Sequence, residues 1–185
     1  MHEKRFSKEI ERLRNPERLA RLEVERVVEL SLEKLDTPQT VVDIGTGSGV
    51  FAEAFAARGL LVSGVDANPE MLPAAQSYVP SGRFKEGTAE QLPFQDHEFD
   101  LAFMGLLLHE TDDLLAALKE AFRVSKKRLA ILEWPYEEQP FGPPLEHRLK
   151  QNTIFELAVQ AGFGEVEAVR LQRLIFYRLD IAERE

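Results

Sequence analysis

The sequence predicts an α/β protein: a three-layer sandwich in which a mostly parallel, seven-stranded sheet lies between helices. Three observations predict it. From residue 40 onward, apolar runs of strand length alternate with stretches of helical period, the signature of successive right-handed crossover units. The first run, Val41-Val42-Asp43-Ile44, breaks into Gly45-Thr46-Gly47-Ser48-Gly49 and resumes in helical spacing at Phe51, Ala54 and Phe55, which reads as strand, glycine turn, helix. The tail from Val166 to Ile181 reads as two further strands.

Composition bounds the function. A chain of 185 residues with 44% hydrophobic content is expected to form one compact domain. A formal net charge of −9 argues against sequence-independent nucleic-acid binding, and the absence of cysteine excludes disulfides, thiolate zinc sites and cysteine nucleophiles. Met1-His2-Glu3-Lys4-Arg5 carries no apolar signal, and the longest apolar run, Leu101 to Leu108, is far short of a membrane span. A cytoplasmic location with no membrane partner is expected.

Residues 1–36 are charge-rich and helical in pattern. Asn15-Pro16-Glu17 starts a helix, with asparagine as cap, proline at the first helical position and an acid in the first turn. Leu19, Leu22, Val27 and Leu30 then recur at helical spacing, so one helical face is expected to pack on the domain. Arg12, Arg14, Arg18 and Arg21 read either as an anion site or as a solvated helix face; the interspersed Glu9, Glu11, Glu17, Glu23 and Glu25 favour the second.

Gly45, Gly47 and Gly49 let the backbone take positive φ and let a ligand approach closely, while the following helix points free N–H groups into the same space. A nucleotide-like ligand is expected. Gly47-Ser48-Gly49-Val50-Phe51-Ala52 fits the dinucleotide G-x-G-x-x-A pattern, so glycine spacing does not discriminate. Asp43 does: a carboxylate at the strand end repels pyrophosphate but attracts the ammonium and sulfonium of S-adenosylmethionine. The run Val-Val-Asp-Ile-Gly-Thr-Gly-Ser-Gly resembles the first motif of class I S-adenosylmethionine-dependent methyltransferases. The resemblance implies a Rossmann-like fold, cofactor contacts at Asp43, Gly45, Thr46, Gly47 and Gly49, and S-adenosylhomocysteine as product. In such proteins the N-terminal region often covers the active site, which makes residues 1–36 a cap or lid on a methyltransferase domain at 37–185.

Gly59 breaks the chain, and Leu60 to Val65 is a second buried strand ending at Asp66. Asp66 lies seventeen positions after Gly49, close to the spacing of about 20 at which an acid reaches a ribose in such folds; it is alternatively a cap, because Asn68-Pro69-Glu70 starts the next helix. Val65 to Leu72 resembles the family's second motif, which brings in Ala67. Arg83 to Gly87 is a short third strand. Gly87-Thr88-Ala89-Glu90-Gln91-Leu92-Pro93-Phe94 resembles a stretch of the menaquinone and ubiquinone methyltransferase branch. That likeness implies that Ala89 N–H meets an adenine ring nitrogen and that Thr88 stands where an acid accepts from the adenine amino group, with Glu90 in the same motif. A threonine hydroxyl offers one acceptor in its place.

Phe99 to Leu108 enters as the buried central strand, in the family's Phe-Asp to Leu-His pattern, with Met104 where a backbone carbonyl meets the methionyl amino group. No Asn/Asp-Pro-Pro-aromatic motif follows it, which demotes methylation of nucleic-acid bases. Thr111-Asp112-Asp113 caps a helix through Phe122, Lys126-Lys127 is a turn, and Arg128 to Trp134 is the fifth strand. Pro135 to Pro144 holds four prolines in a loop over the mouth of the sheet, where Trp134, Tyr136 and Phe141 either line an apolar substrate pocket or anchor the loop. Leu145 to Ala161 is a helix ending at Gly162, and the family implies that the two tail strands form an antiparallel hairpin.

The implied reaction is in-line methyl transfer to a small-molecule acceptor, resting on alignment and exclusion of water and needing no metal. His109, beyond the central strand, is a candidate general base, or it caps the following helix or fills a polar gap; Glu110 suits the helix dipole. Two readings compete. A nicotinamide-dependent oxidoreductase is opposed by Asp43, and a non-catalytic S-adenosylmethionine-binding regulator or scaffold is encouraged by Thr88. The sequence leaves the acceptor and the oligomeric state open.

Overall fold

A computed structural model describes residues 9–182; Met1–Arg5 lies outside them. Seven strands form one sheet: β1 (Thr40–Ile44), β2 (Leu61–Asp66), β3 (Arg83–Glu86), β4 (Phe99–Gly105), β5 (Ser125–Glu133), β6 (Glu165–Arg170) and β7 (Ile175–Asp180), in the order β3-β2-β1-β4-β5-β7-β6. The first five are parallel to their neighbours, and β7 inserts antiparallel between β5 and β6. The expected three layers and closing hairpin are present.

Burial on both faces explains why β4 reads as an unbroken apolar run. Period-two alternation sends Leu101 and Phe103 to one face and Ala102 and Met104 to the other. The first face packs on Phe51 and Phe55 of α3 (Val50–Ala57) and on Val27 and Val28 of α2 (Val24–Leu32). The second packs on Ala117 and Leu118 of α5 (Leu114–Val124) and Ile154 and Ala158 of α6 (Gln151–Ala161). The remaining helix, α4 (Leu72–Tyr78), lies beside β3 and α3 and is preceded by a 3-10 turn that Asn68 caps.

Helix α1 (Pro16–Leu22) starts as expected: Asn15 Oδ1 accepts from Glu17 N at 2.9 Å. The single helix expected over Pro16 to Leu30 is two, because Glu23 takes φ 48 between α1 and α2. Its carboxylate accepts from Gln172 N at 2.9 Å, a tertiary contact that local sequence does not announce. Two buried arginines then hold the end of α2 on the sheet. Arg128 donates to the carbonyls of Ser31 and Glu33 and pairs with Asp180; Arg178 donates to Leu30 O and pairs with Glu33 and Glu167.

Three further expectations shift. The central strand stops at Gly105 rather than Leu108, since Leu106 turns with φ 56 into a 3-10 turn at Leu108–Glu110. Lys126-Lys127 is strand rather than turn: β5 begins at Ser125 directly after α5, and a register shift between Phe99 and Leu101 absorbs the early start. The helix expected over Leu145 to Ala161 is a 3-10 turn, Leu145–His147, followed by α6 from Gln151. Arg148 between them is extended and buried, and its guanidinium donates to the carbonyls of Pro143, Glu137 and Phe141, gathering the proline loop.

Candidate active site

The chain order places β1 and β4 side by side with their crossovers leading to opposite sides of the sheet, which opens a crevice at their C-terminal ends. A cavity of about 820 Å³ occupies that crevice. Ten of the twelve site residues expected from sequence line it. Asp43, Gly45, Thr46 and Gly47 come from the end of β1 and the glycine turn, and Asp66 and Ala67 from the end of β2. Thr88, Ala89 and Glu90 come from the segment after β3, and His109 from the turn after β4.

The glycine turn is built for close approach. Gly45 has φ +71, and a Cβ there would lie 2.7 Å from Leu107 Cδ1. Gly49 is different: it does not line the cavity, and a Cβ there would meet Ala75 Cα at 2.9 Å, so this glycine lets α3 pack against α4. Ser48 contributes a signal for a ligand that the motif alone does not carry. It lines the cavity, is 2% exposed, and its hydroxyl oxygen has no hydrogen-bond partner among the described residues; an orphaned buried polar atom is costly unless a ligand or water satisfies it.

Asp43 is 3% exposed and accepts from the Thr46 hydroxyl at 2.8 Å and from Ala52 N at 3.2 Å through one oxygen. Burial pushes its carboxyl up to about 7, against the downward pull of those two bonds, and Asp66 adds to the rise. Asp66 accepts from Gly47 N at 2.7 Å and from Asn68 N at 2.9 Å, one on each oxygen. Each oxygen keeps a lone pair for a diol. Thr88 is exposed and its carbonyl accepts from Gln91 N, while Glu90 accepts from Asp112 N at 3.0 Å, tying that segment to the start of α5. Met104 does not line the cavity; its side chain is wholly buried in the core beneath.

His109 has a partner that its sequence neighbourhood does not announce. Glu133, at the end of β5 and 1% exposed, accepts from His109 Nδ1 at 2.9 Å, from His109 N at 3.1 Å and from Trp134 N at 3.0 Å. A carboxylate only accepts, so Nδ1 carries a proton and Nε2 is the basic nitrogen of the neutral ring. Burial opposes the charge on the imidazole, but the hydrogen bond and charge of Glu133, joined by Glu110, outweigh it and hold His109 above its ordinary value. The visible signal for Glu133 is an acid ending an apolar strand.

The N-terminal arginines are not simply a solvated face. Arg14 donates to Ser48 O at 2.7 Å, pairs with Glu53 at 2.7 Å and stacks on Tyr78, stapling its segment to the glycine turn. Arg12 and Arg18 line the cavity together with Leu13 and Leu22. Trp134 lines it as well, and Phe141 lines a neighbouring one, whereas Tyr136 is exposed and lines neither.

The fold is a Rossmann-like three-layer sandwich, and the glycine turn, the orphaned Ser48 hydroxyl and the two acids at its cavity are chemically suited to a cofactor with a cationic end and a ribose, such as S-adenosylmethionine. Comparison with known proteins agrees. Residues 42–131 match the family described as a methyltransferase domain. The demethylmenaquinone methyltransferase of Thermotoga maritima is 37% identical over 112 residues, 58% of this chain and 48% of that protein. The uncharacterized methyltransferase YcgJ of Bacillus subtilis is 37% identical over 107 residues, 54% of this chain and 42% of the relative. The chain thus spans less than half the length of these curated relatives. A solved S-adenosylmethionine-dependent methyltransferase from Aquifex aeolicus superposes with a TM-score of 0.82 at 26% identity, covering 96% of this chain and 98% of that one. Residues 42–131 therefore match a methyltransferase domain, set in a fold that the solved S-adenosylmethionine-dependent methyltransferase shares over nearly its whole length. Among the described residues no helix is long and apolar enough to cross a membrane.

Proposed function

We propose that the chain moves the methyl group of S-adenosylmethionine to a small-molecule acceptor by in-line displacement, with His109 as general base. The observation that supports it is the convergence of Asp43, Asp66 and the glycine turn with the Glu133-held imidazole of His109 in one cavity. When bound, the cofactor supplies an electrophilic methyl carbon on a sulfonium that leaves as a neutral thioether. Asp43 would hold the methionyl ammonium and Asp66 would accept from the ribose hydroxyls. Thr88, Ala89 and Glu90 would border the adenine and Gly49 keeps the turn in place, while Met104, outside the cavity lining, supports the site from beneath rather than holding the methionyl amino group. Nε2 of His109 takes the proton of the attacking group, and Glu133 holds the ring in the tautomer that can do so. The segment bearing Arg12, Arg18 and Leu22 closes over the cavity as a cap.

Calorimetric titration tests the cofactor half: S-adenosylhomocysteine binds and NADH does not, and the reverse result would overturn the reading. A screen of small acceptors with labelled S-adenosylmethionine tests the chemistry. Methyl transfer to any of them disposes of a purely regulatory role.

A further inference from the structure

Beside the cofactor cavity lies a second one of about 670 Å³. The two share Arg12, Arg18, Leu22, Leu106, Trp134 and Gly142 as lining, so they lie side by side against common walls. The second is bipartite. Leu22, Leu174, Trp134 and Phe141 give it an apolar wall, while Arg12, Arg18, Arg21 and Arg173 bring four guanidinium groups against the carboxylates of Glu11 and Glu17. In a chain of net charge −9 such a concentration of cations is unusual. Among the described residues no carboxylate lies within ion-pair distance of Arg18, Arg21 or Arg173. Arg18 spends one N–H on Leu13 O, at 2.8 Å. Burial, together with the like charges of Arg12 and Arg21, lowers its affinity for its proton, the mark of a cation lacking a counter-charge. Arg21 and Arg173 stand 5.1 and 5.6 Å from the centre of the Phe141 ring.

Unpaired guanidinium groups gathered at one wall repel one another, and a forked donor set of this kind matches the oxygens of a carboxylate or phosphate. The apolar wall matches a hydrocarbon or aromatic body. We infer that this second cavity receives the methyl acceptor, and that the acceptor is an amphipathic anion: an apolar or aromatic body against Trp134 and Phe141, with a carboxylate or phosphate head held by Arg18, Arg21 and Arg173. The inference rests on the methyltransferase reading above.

Trp134 is the sole tryptophan of the chain and lines both compartments, so its fluorescence reports occupancy. The protein is first titrated calorimetrically with S-adenosylhomocysteine, then, once loaded, with 4-phenylbutyrate, 4-phenylbutyl phosphate and the uncharged 4-phenylbutyramide while Trp134 emission is followed. The two anions are expected to bind at least about tenfold tighter than the amide, and the double variant R21Q/R173Q to remove that preference. Arg21 and Arg173 line only the second cavity, so the variant keeps its S-adenosylhomocysteine affinity, which also certifies its fold. Equal affinity of the wild-type protein for 4-phenylbutyrate and its amide overturns the inference, as does an anion preference that survives in a variant still binding S-adenosylhomocysteine. No binding of S-adenosylhomocysteine by the wild-type protein overturns the methyltransferase reading and the inference with it. Binding of S-adenosylhomocysteine without anion preference overturns the inference alone.

Discussion

Replacing Asp43 with asparagine should stabilise the unliganded protein and weaken cofactor binding at the same time. The carboxyl rises from 3.8 to about 7, chiefly through burial. That rise sets about 4 kcal/mol against the ionised form. Because the folded-state value is the higher, the folded chain keeps a proton that the unfolded chain has released. Stability is therefore full below about 4, falls as pH rises, and levels off above about 7. The substituted amide would resemble the protonated acid, since its one oxygen can still accept from Thr46 Oγ1 and Ala52 N as Asp43 Oδ2 does. Urea unfolding of both proteins between pH 4 and pH 8 checks this: the difference between them grows from near zero to about 4 kcal/mol in favour of D43N. Other titrating groups cancel in that difference. Loss of the charged acceptor should cost S-adenosylhomocysteine about 1.5–3 kcal/mol of binding, and wild-type affinity should rise through pH 7 while that of D43N does not. A D43N protein no more stable than wild type at pH 8, or one that binds the product equally well, would refute the reasoning.

His109→Gln should lower turnover by roughly 10²–10⁴-fold with S-adenosylhomocysteine affinity unchanged; a variant that keeps turnover but melts lower would show the residue to be structural. The rate of the wild-type enzyme should rise with pH as the imidazole loses its proton, with a midpoint above 6.5, and Glu133→Gln should move that limb to lower pH by removing the charge that raises it. Asp66→Ala should weaken S-adenosylmethionine and S-adenosylhomocysteine alike by about 1.5–3 kcal/mol, measured by calorimetry. Unchanged affinity for both would remove Asp66 from the site. Gly49→Ala forces φ +77 on a residue with a Cβ that would sit 2.9 Å from Ala75 Cα; thermal melting should show a loss of at least about 1–2 kcal/mol, and an unchanged melt would contradict the packing role.

What the sequence by itself determined is what short range and periodicity encode. Asn15 before Pro16 and Asn68 before Pro69 announce their helices because a cap acts on backbone two or three residues away. The glycine turn after Val41 to Ile44 and the acid ending β2 announce the cofactor cavity because strand ends at a switch point converge whatever surrounds them. The tertiary structure alone decided which distant groups meet. His109 and Glu133 are 24 positions apart, and become a pair only because β4 and β5 are neighbours in register up to Gly105 and Leu132. The break at Glu23 depends on Gln172, the extended Arg148 on the carbonyls of the proline loop, and the second role of the N-terminal arginines on where α1 lands beside Trp134 and Phe141. In each case a buried polar group must find its partner wherever packing puts one, and a side chain's own neighbours in the chain carry no record of that meeting.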